Sequence, residues 1–529
     1  MKKIWIICGL AVSCLTVPVL ASVKFGGSLG SGGIDALKLH QPPYNLTGRK
    51  IAIGQVEIGR PGMFGLDKAV SKNRAISPIA VFSRTTPAKS NTGVDPHAYN
   101  VAAVMVSKDK AWPGVAPDAR LYSSAVGATR NMGQAEECLS AQHIALQNSG
   151  DVRAINFSFG EPLNRDPRPE AVLDGQALLT LCIDWSSRVH NVVYAIAGNQ
   201  GKGGIPIPTD NFNAINVAFS SPREGIFNKV HVSNLAGNNQ GVGDRLVGKE
   251  FNIGGRRSVS LVAPGSNIPV LNPDGKLNKS TGSSFAAPHL TATIALLQEF
   301  ADRQLRIKQP NWTIDARNHQ VMKAVLLNSA EKIQDSGDGL RLGMTRNLVD
   351  KQNRDWFVSD AYKDPKIPLD DQMGAGHLNA FRAYQQLMFG QWQPAAPIPP
   401  IGWDYNTINA NSALEYKLEK PLKQNSFVAV TLTWDRLVEL DDKNKNQQYD
   451  VDESFIDKGL NNLDIYLVKA DDPKTEIASC ASVSEIDNVE QIFCPVPATG
   501  NYKIRVQFKQ QVNEPTQAYS LAWWTVPEN

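Results

Sequence analysis

Between Leu46 and Leu387 the chain alternates short apolar runs with longer helical ones, and this rhythm limits the fold more than any other feature. The pattern predicts a strand near Lys50–Glu57, a helix near Ala98–Ser107, a strand near Arg120–Ala125 and a helix near Gly133–Gln147. A strand near Ala154–Ser158, a helix near Glu170–Val189 and a strand near Val192–Ala197 follow. Parallel strands cannot be joined by a tight hairpin and need a crossover, usually a helix. The expected fold is therefore α/β, a parallel sheet with helices on both faces. Sheets of this kind gather their working groups at the carboxyl ends of strands and at helix starts.

A chain of 529 residues is too long for one core, so a second folded unit is expected. The run Gln393-Pro394-Ala395-Ala396-Pro397-Ile398-Pro399-Pro400 reads as a stiff linker, and beyond it the pattern changes. Ser426–Trp434, Asn462–Val468, Asn501–Phe508 and Tyr519–Trp524 read as strands. The expected division is a signal peptide over 1–21, a short extension over 22–45, the α/β unit over 46–390, a linker over 391–402 and an all-β unit over 403–529.

The signal reading rests on Met1-Lys2-Lys3, an apolar run from Ile4 to Leu20, and small Ala21 before Ser22. Pro18 and the short run argue against a membrane anchor, and no later stretch is long and apolar enough to span a bilayer. Ala11-Val12-Ser13 before Cys14 makes a poor lipoprotein box, so lipid anchoring is not favoured. The protein is expected to be secreted or periplasmic. A net charge of +3, with acids and bases nearly balanced, argues against a nucleic-acid partner. Beyond the signal, Cys138, Cys182, Cys480 and Cys494 form an even set that suggests disulfides. Cys480 with Cys494 and Cys138 with Cys182 are in positions to meet; three pairings are open, and buried thiols are the alternative. No Cys/His spacing suggests zinc.

The chemistry is concentrated in Gly282-Ser283-Ser284-Phe285-Ala286-Ala287-Pro288-His289, a small-residue turn carrying a serine, followed at once by a helix to about Arg303. Such a turn exposes a hydroxyl, and the helix start supplies N–H groups and positive potential. An ordinary N-cap with proline in the first turn explains one serine but not the whole run. The motif resembles the serine box of the subtilisin-like serine proteases, with Ser283 where threonine is usual. Other boxes of that family appear in order. Asp95-Pro96-His97-Ala98-Tyr99-Asn100-Val101-Ala102 resembles its histidine box, with Ala98, Asn100 and Ala103 replacing a glycine, a second histidine and another glycine. Leu46–Gly59 resembles its opening strand, with Glu57 in the aspartate's place. Ala197-Gly198-Asn199-Gln200-Gly201 resembles its asparagine box. Gly114–Tyr122, Leu261–Gly265 and Met373–Ala380 match structural boxes, so the resemblance runs from about Leu46 to Leu387.

The resemblance implies a triad of Ser284 as nucleophile, His97 as base and Glu57 as the acid that orients it, with Asn199 donating to the oxyanion. Asp67 and Asp95 are the other candidates for the acid, and His289, which follows the serine-box proline, is expected to be structural. Ser158, Phe159 and Gly160 are implied to pair with the substrate backbone as an edge strand. The implied activity is a secreted endopeptidase acting on protein or peptide substrates, with no cofactor required for the chemistry. The departures at Glu57, Ala98, Asn100 and Ser283 leave a binding pseudoprotease as the alternative, and an esterase would use the same groups. The all-β unit resembles the β-sandwich appended to many secreted bacterial proteases. Residues 22–45 are too few for the folded inhibitory pro-domain that many relatives carry.

One loop of the second unit reads either as a structural calcium site or as a solvated hairpin tip. Asp442, Asn444, Asn446, Gln448, Asp450 and Glu453 fall on the ligand positions of a twelve-residue calcium loop, with Gln447 where glycine is usual. Oligomeric state and substrate preference leave no trace in the sequence.

Overall fold

The computed structural model describes residues 27–127, 133–200, 204–235, 252–471 and 476–528. The proposed signal peptide lies outside them. Among the described residues the first unit is built on a nine-stranded sheet: β1 Ala52–Glu57, β2 Ala80–Ser83, β3 Thr86–Pro87, β4 Arg120–Ala125, β5 Val152–Phe157, β6 Val193–Ala197, β7 Ile215–Arg223, β8 Ile226–Val230 and β9 Leu261–Pro264. The order is β3-β2-β4-β1-β5-β6-β7-β8, with β9 also on β7. All pairings are parallel except those of β3 on β2 and β8 on β7. The helices are α1 Ala36–His40, α2 Pro96–Val106, α3 Gly133–Ala145, α4 Gln147–Gly150, α5 Leu178–Val189, α6 Ala287–Arg306, α7 His319–Asn328, α8 Asp360–Lys363 and α9 Ala380–Leu387.

Strand periodicity sorts side chains onto two cores. Ile51 and Ile53 join one core with Val101, Ala102, Leu290 and Ile294 of α2 and α6. Ala52 and Val56 join the other with Ala141, Ile144 and Ile183 of α3 and α5. Gly54 is needed on this second face, because a Cβ there would lie 2.3 Å from the Ile144 side chain. The same alternation carries Gln55 toward α2, where its amide donates to Ala98 O at 2.9 Å. Glu57, two residues on, therefore faces α2 as well. By the same count Ala195, Ala197 and then Asn199 face the α2/α6 side of the sheet.

Helix α5 starts at Leu178, later than the expected Glu170. Glu170 takes a left-handed φ of 50° and Gly175 one of 81°, and the Gly175 N–H donates to Asp210 at 2.8 Å. The serine-bearing turn is itself helical: Ser283–Phe285 form a 3₁₀ turn leading into α6. The hairpin β10 Ile268–Leu271 and β11 Leu277–Ser280 precedes it.

The second unit contains β12 Ile401–Asn409, β13 Ala413–Lys417, β14 Phe427–Trp434, β15 Val438–Asp441, β16 Ser454–Asp457, β17 Asn462–Lys469, β18 Glu476–Ser482, β19 Val489–Pro495, β20 Tyr502–Gln510 and β21 Thr516–Trp524. Two four-stranded antiparallel sheets, β12-β21-β14-β19 and β13-β20-β17-β18, enclose a core that includes Tyr416, Trp434 and Trp523. Cys480 and Cys494 form a disulfide between β18 and β19, and Cys138–Cys182 joins α3 to α5.

The proline-rich stretch packs along the sandwich: Ile398 is buried, its N–H donates to Lys417 O at 2.8 Å, and β12 begins at Ile401. The units are firmly docked. Arg436 enters the first unit to meet buried Asp184 at 2.7 Å, and Thr431 of β14 bonds Asn328 of α7. The extension is also integrated, with Ile34, Ala36 and Leu39 in the first core and Ser28 bonded to His289. No helix among the described residues is long and apolar enough to cross a membrane.

Candidate active site

Three strand ends and two helix starts converge on the α2/α6 face of the sheet. His97 is the second residue of α2, whose start is set by Pro96 and by Asp95 accepting from Ala98 N at 2.8 Å. Its Nδ1 lies 3.4 Å from Oε1 of Glu57, which is 2 % exposed. That oxygen makes no hydrogen bond among the described residues, and the imidazole stands against it at ion-pair distance. At 3.4 Å the contact is long for a charge-assisted bond. Partial burial pulls the His97 pKa down, but the hydrogen bond and charge of Glu57, with Asp95 behind, outweigh it and leave it raised above the ordinary 6.5. Nδ1 is engaged by the acid, so Nε2 is the nitrogen presented to the other side. The ring stands edge-on to Phe285 at 5.6 Å between centroids, which brings it beside the residue that follows Ser284.

The competing acids have other work. Asp67 is buried in a two-pronged pair with Arg60, at 2.7 and 2.9 Å, and that partner and backbone N–H groups outweigh burial to lower its pKa. Asp95 caps α2. His289 is buried between Phe285 O and Ser28 Oγ, and burial drops its pKa to about 4, which fits a structural role.

Ser284 is 7 % exposed and its hydroxyl donates to Ser158 O at 3.0 Å, while Ser158 Oγ donates back to Ser284 O at 2.9 Å. Asn156 holds that Ser158 hydroxyl from behind, at 2.8 Å. Phe159 turns to the α3/α5 core. At Gly160 a Cβ would lie 2.6 Å from Ile205 O and 2.7 Å from Ile207 O, so the 158–160 edge runs closely beside the 205–207 backbone.

Asn199 follows β6, and its Oδ1 accepts from Ile205 N at 2.8 Å. An amide whose oxygen accepts that bond must present its NH₂ in the other direction, so this contact assigns the donor end. Gln200 is next in the chain. Its Oε1 accepts from Ser283 N at 2.5 Å, and Ser283 Oγ donates to Gly198 O at 2.7 Å. Ser283, the departure from threonine, thus still supplies a hydroxyl to the asparagine-bearing strand. Asn100, the departure from histidine, ties α2 to Leu271 O at 2.8 Å and to Asn272.

The model of the subtilase family matches residues 58–348, more than half of the chain. The chain belongs to the subtilase family. The match begins one residue after Glu57. The subtilase chain is 27% identical over 219 residues to the major intracellular serine protease of Bacillus subtilis (strain 168), covering 40% of this chain and 58% of that protein. It is 24% identical over 288 residues to subtilisin NAT of Bacillus subtilis subsp. natto, covering 54% of this chain and 62% of that protein. The chain thus spans about three fifths of the length of these relatives. Among solved structures it resembles the serine protease MycP1 of a type VII secretion system, with TM-score 0.41 and 17% identity over 66% of this chain and 86% of that one.

The loop of the second unit folds back on itself between β15 and β16. Asp442 accepts from Asn446 N and Gln447 N, Asn444 and Asn446 both donate to Asp450, and Glu453 accepts from Lys443 N and Asp450 N. Gln447 adopts φ 62° at the position where such loops ordinarily need glycine. The donors are hard oxygens of the kind calcium takes, so the residues fit that ion in type. No three acidic, histidine or cysteine side chains among the described residues converge on one point, so amide and backbone oxygens would have to complete the shell.

Proposed function

We propose that this subtilase is an exported serine endopeptidase. Ser284 Oγ attacks the peptide carbonyl while His97 Nε2 takes its proton, and His97 returns that proton to the leaving amine. Water then hydrolyses the acyl-enzyme by the same exchange. Glu57 orients the ring through Nδ1 and offsets imidazolium charge, and the Asn199 amide donates to the oxyanion. The Ser158–Gly160 edge is the proposed seat of the substrate backbone. The observation that carries the reading is the burial of Glu57 against His97 Nδ1, beside the helix start that bears Ser284. Export is supported by the two disulfides, which persist in oxidising compartments. We also propose that the Asp442–Glu453 loop, through Asp442, Asn444, Asn446, Gln448, Asp450 and Glu453, takes calcium as a structural ion.

The test is labelling with a fluorophosphonate and turnover of casein beside a short ester. Ser284→Ala is expected to abolish both labelling and turnover, and Asn199→Ala to lower kcat by ~10²–10³ with little change in KM. Absence of labelling in the wild-type protein would favour a binding pseudoprotease, and ester cleavage without casein cleavage an esterase.

A further inference from the structure

We propose that Gln200 is a positioning residue of this site, clamping the nucleophile turn to the strand end that carries Asn199. The inference rests on the roles of Ser284 and Asn199 proposed above. Asn199 and Ser284 come from elements far apart in sequence, yet both must address one carbonyl group. Oxyanion donors are effective only within about 2.7–3.1 Å of the developing charge, so the frame joining them has tenths of an ångström to spare. That frame passes through Ser283. Its N–H donates to Gln200 Oε1 at 2.5 Å and its hydroxyl to Gly198 O at 2.7 Å, so it is gripped by the two residues flanking Asn199. The two bonds resist rotation of the turn as well as translation, which one bond alone would not.

The seat for this glutamine is built on both sides. A Cβ at Gly282 would lie 2.9 Å from Gln200 Nε2 and 3.2 Å from Oε1, so the amide lies directly over this glycine. Gly282 also has φ 155°, outside the range that L side chains favour. The backbone of Gln200 is paired with that of Asn234, which fixes the base of the side chain. Ser283 N stands in the first turn of a helical segment, where N–H groups have no partner within the helix. Gln200 supplies that partner and, in doing so, couples the turn to the oxyanion strand. The two hydrogen bonds between Ser284 and Ser158 hold the opposite side of the turn but do not reach the Asn199 strand.

The experiment measures kcat and KM per titrated active site for Gln200→Met and Gln200→Ala, alone and combined with Asn199→Ala, so that misfolded molecules do not enter the rate. A clamp predicts a fall in kcat of roughly 10–100-fold with KM within about twofold, since small misplacements of reacting groups act on the transition state. It also predicts that Gln200→Met costs less than about threefold once Asn199 is alanine, because the donor it aligns is gone. A wild-type kcat in both variants, a change confined to KM, or the full loss retained beside Asn199→Ala overturns the clamp. Full fluorophosphonate labelling with an unchanged kcat rejects the clamp alone. A wild-type protein that does not label at Ser284 rejects the underlying reading and the clamp with it.

Discussion

Shortening or neutralising Glu57 tests the least usual member of the proposed triad, and the structure sets the expected sizes. The carboxylate stands 3.4 Å from His97 Nδ1. Glu57→Asp removes one methylene and retracts the carboxylate by about 1.5 Å if the strand end stays in place, to ~4.9 Å from the ring. The hydrogen bond is then lost, at about 1.5–3 kcal/mol for a charged partner. With an effective dielectric of ~20 the Coulomb attraction falls only from ~5 to ~3.4 kcal/mol. Together these predict a kcat loss of roughly 10²–10³-fold for aspartate. Glu57→Gln keeps the length but loses the charge and admits the wrong tautomer, for which ~10⁴ is the expected scale. The pH profile gives an independent sign. Glu57 raises the His97 pKa against burial, and the base must be neutral to act, so the wild-type acid limb lies above the ordinary 6.5. Removing the charge leaves burial to dominate, so the limb moves to lower pH in Glu57→Gln even as the plateau falls. Purified variants assayed from pH 5 to 10 decide the matter. Wild-type rates in both variants, or an acid limb that stays put or rises in the glutamine variant, refutes the assignment of Glu57.

Two further outcomes concern stability. Lys332 is fully buried with its Nζ 5.2 Å from the rings of both Trp356 and Phe493, and burial, aided by Arg382, lowers its pKa to about 7. A lysine held neutral in the fold makes stability fall as pH drops from about 10.5 toward 7, by up to ~5 kcal/mol, so Lys332→Met should stabilise the protein near pH 6 and flatten unfolding free energy between pH 7 and 10; an unchanged slope counts against it. If the Asp442–Glu453 loop takes calcium, removing the ion by chelation should lower Tm of the full chain, and Glu453→Gln should abolish the difference, whereas identical melting with and without chelator returns the loop to a solvated hairpin tip.

Features set by local chemistry were legible in the sequence, and those set by distant contacts were not. The alternation of strand and helix located β1, α2, α3, β5 and β6 because hydrophobic period is a local property of the chain. The late start of α5 was missed because a glycine turn braced by Asp210 overrides the helical pattern before it. The proline-rich stretch read as a spacer on composition, yet one residue in it, Ile398, is buried against the sandwich. The bond from Gln200 to the serine turn left no signal in the sequence. The partner is 83 residues away, and an Asn-Gln-Gly run has the composition of any turn.

Parity and packing together also account for how a glutamate is accommodated where the family resemblance leads one to expect aspartate. Glu57 has the same strand parity as Ile53 and Gln55, so it must face α2 whatever its length. The start of α2 is anchored independently by the Asp95 cap, which packs so closely on the β1 turn that a Cβ at Gly59 would lie 2.2 Å from the Asp95 Cβ. The strand end and the helix start are therefore fixed relative to each other by contacts that do not involve the Glu57 side chain. What remains is a gap that a side chain must cross to reach the ring, and even glutamate leaves 3.4 Å between heavy atoms. A shorter acid in this frame would leave the ring without a direct partner, so an aspartate here would also require the anchoring at Gly59 and Asp95 to shift. A paired substitution that removes both the cap and its Cβ, Asp95→Gly with Glu57→Asp, should then recover activity relative to Glu57→Asp alone if the frame sets the reach. An additive loss would mean that the frame and the acid act independently.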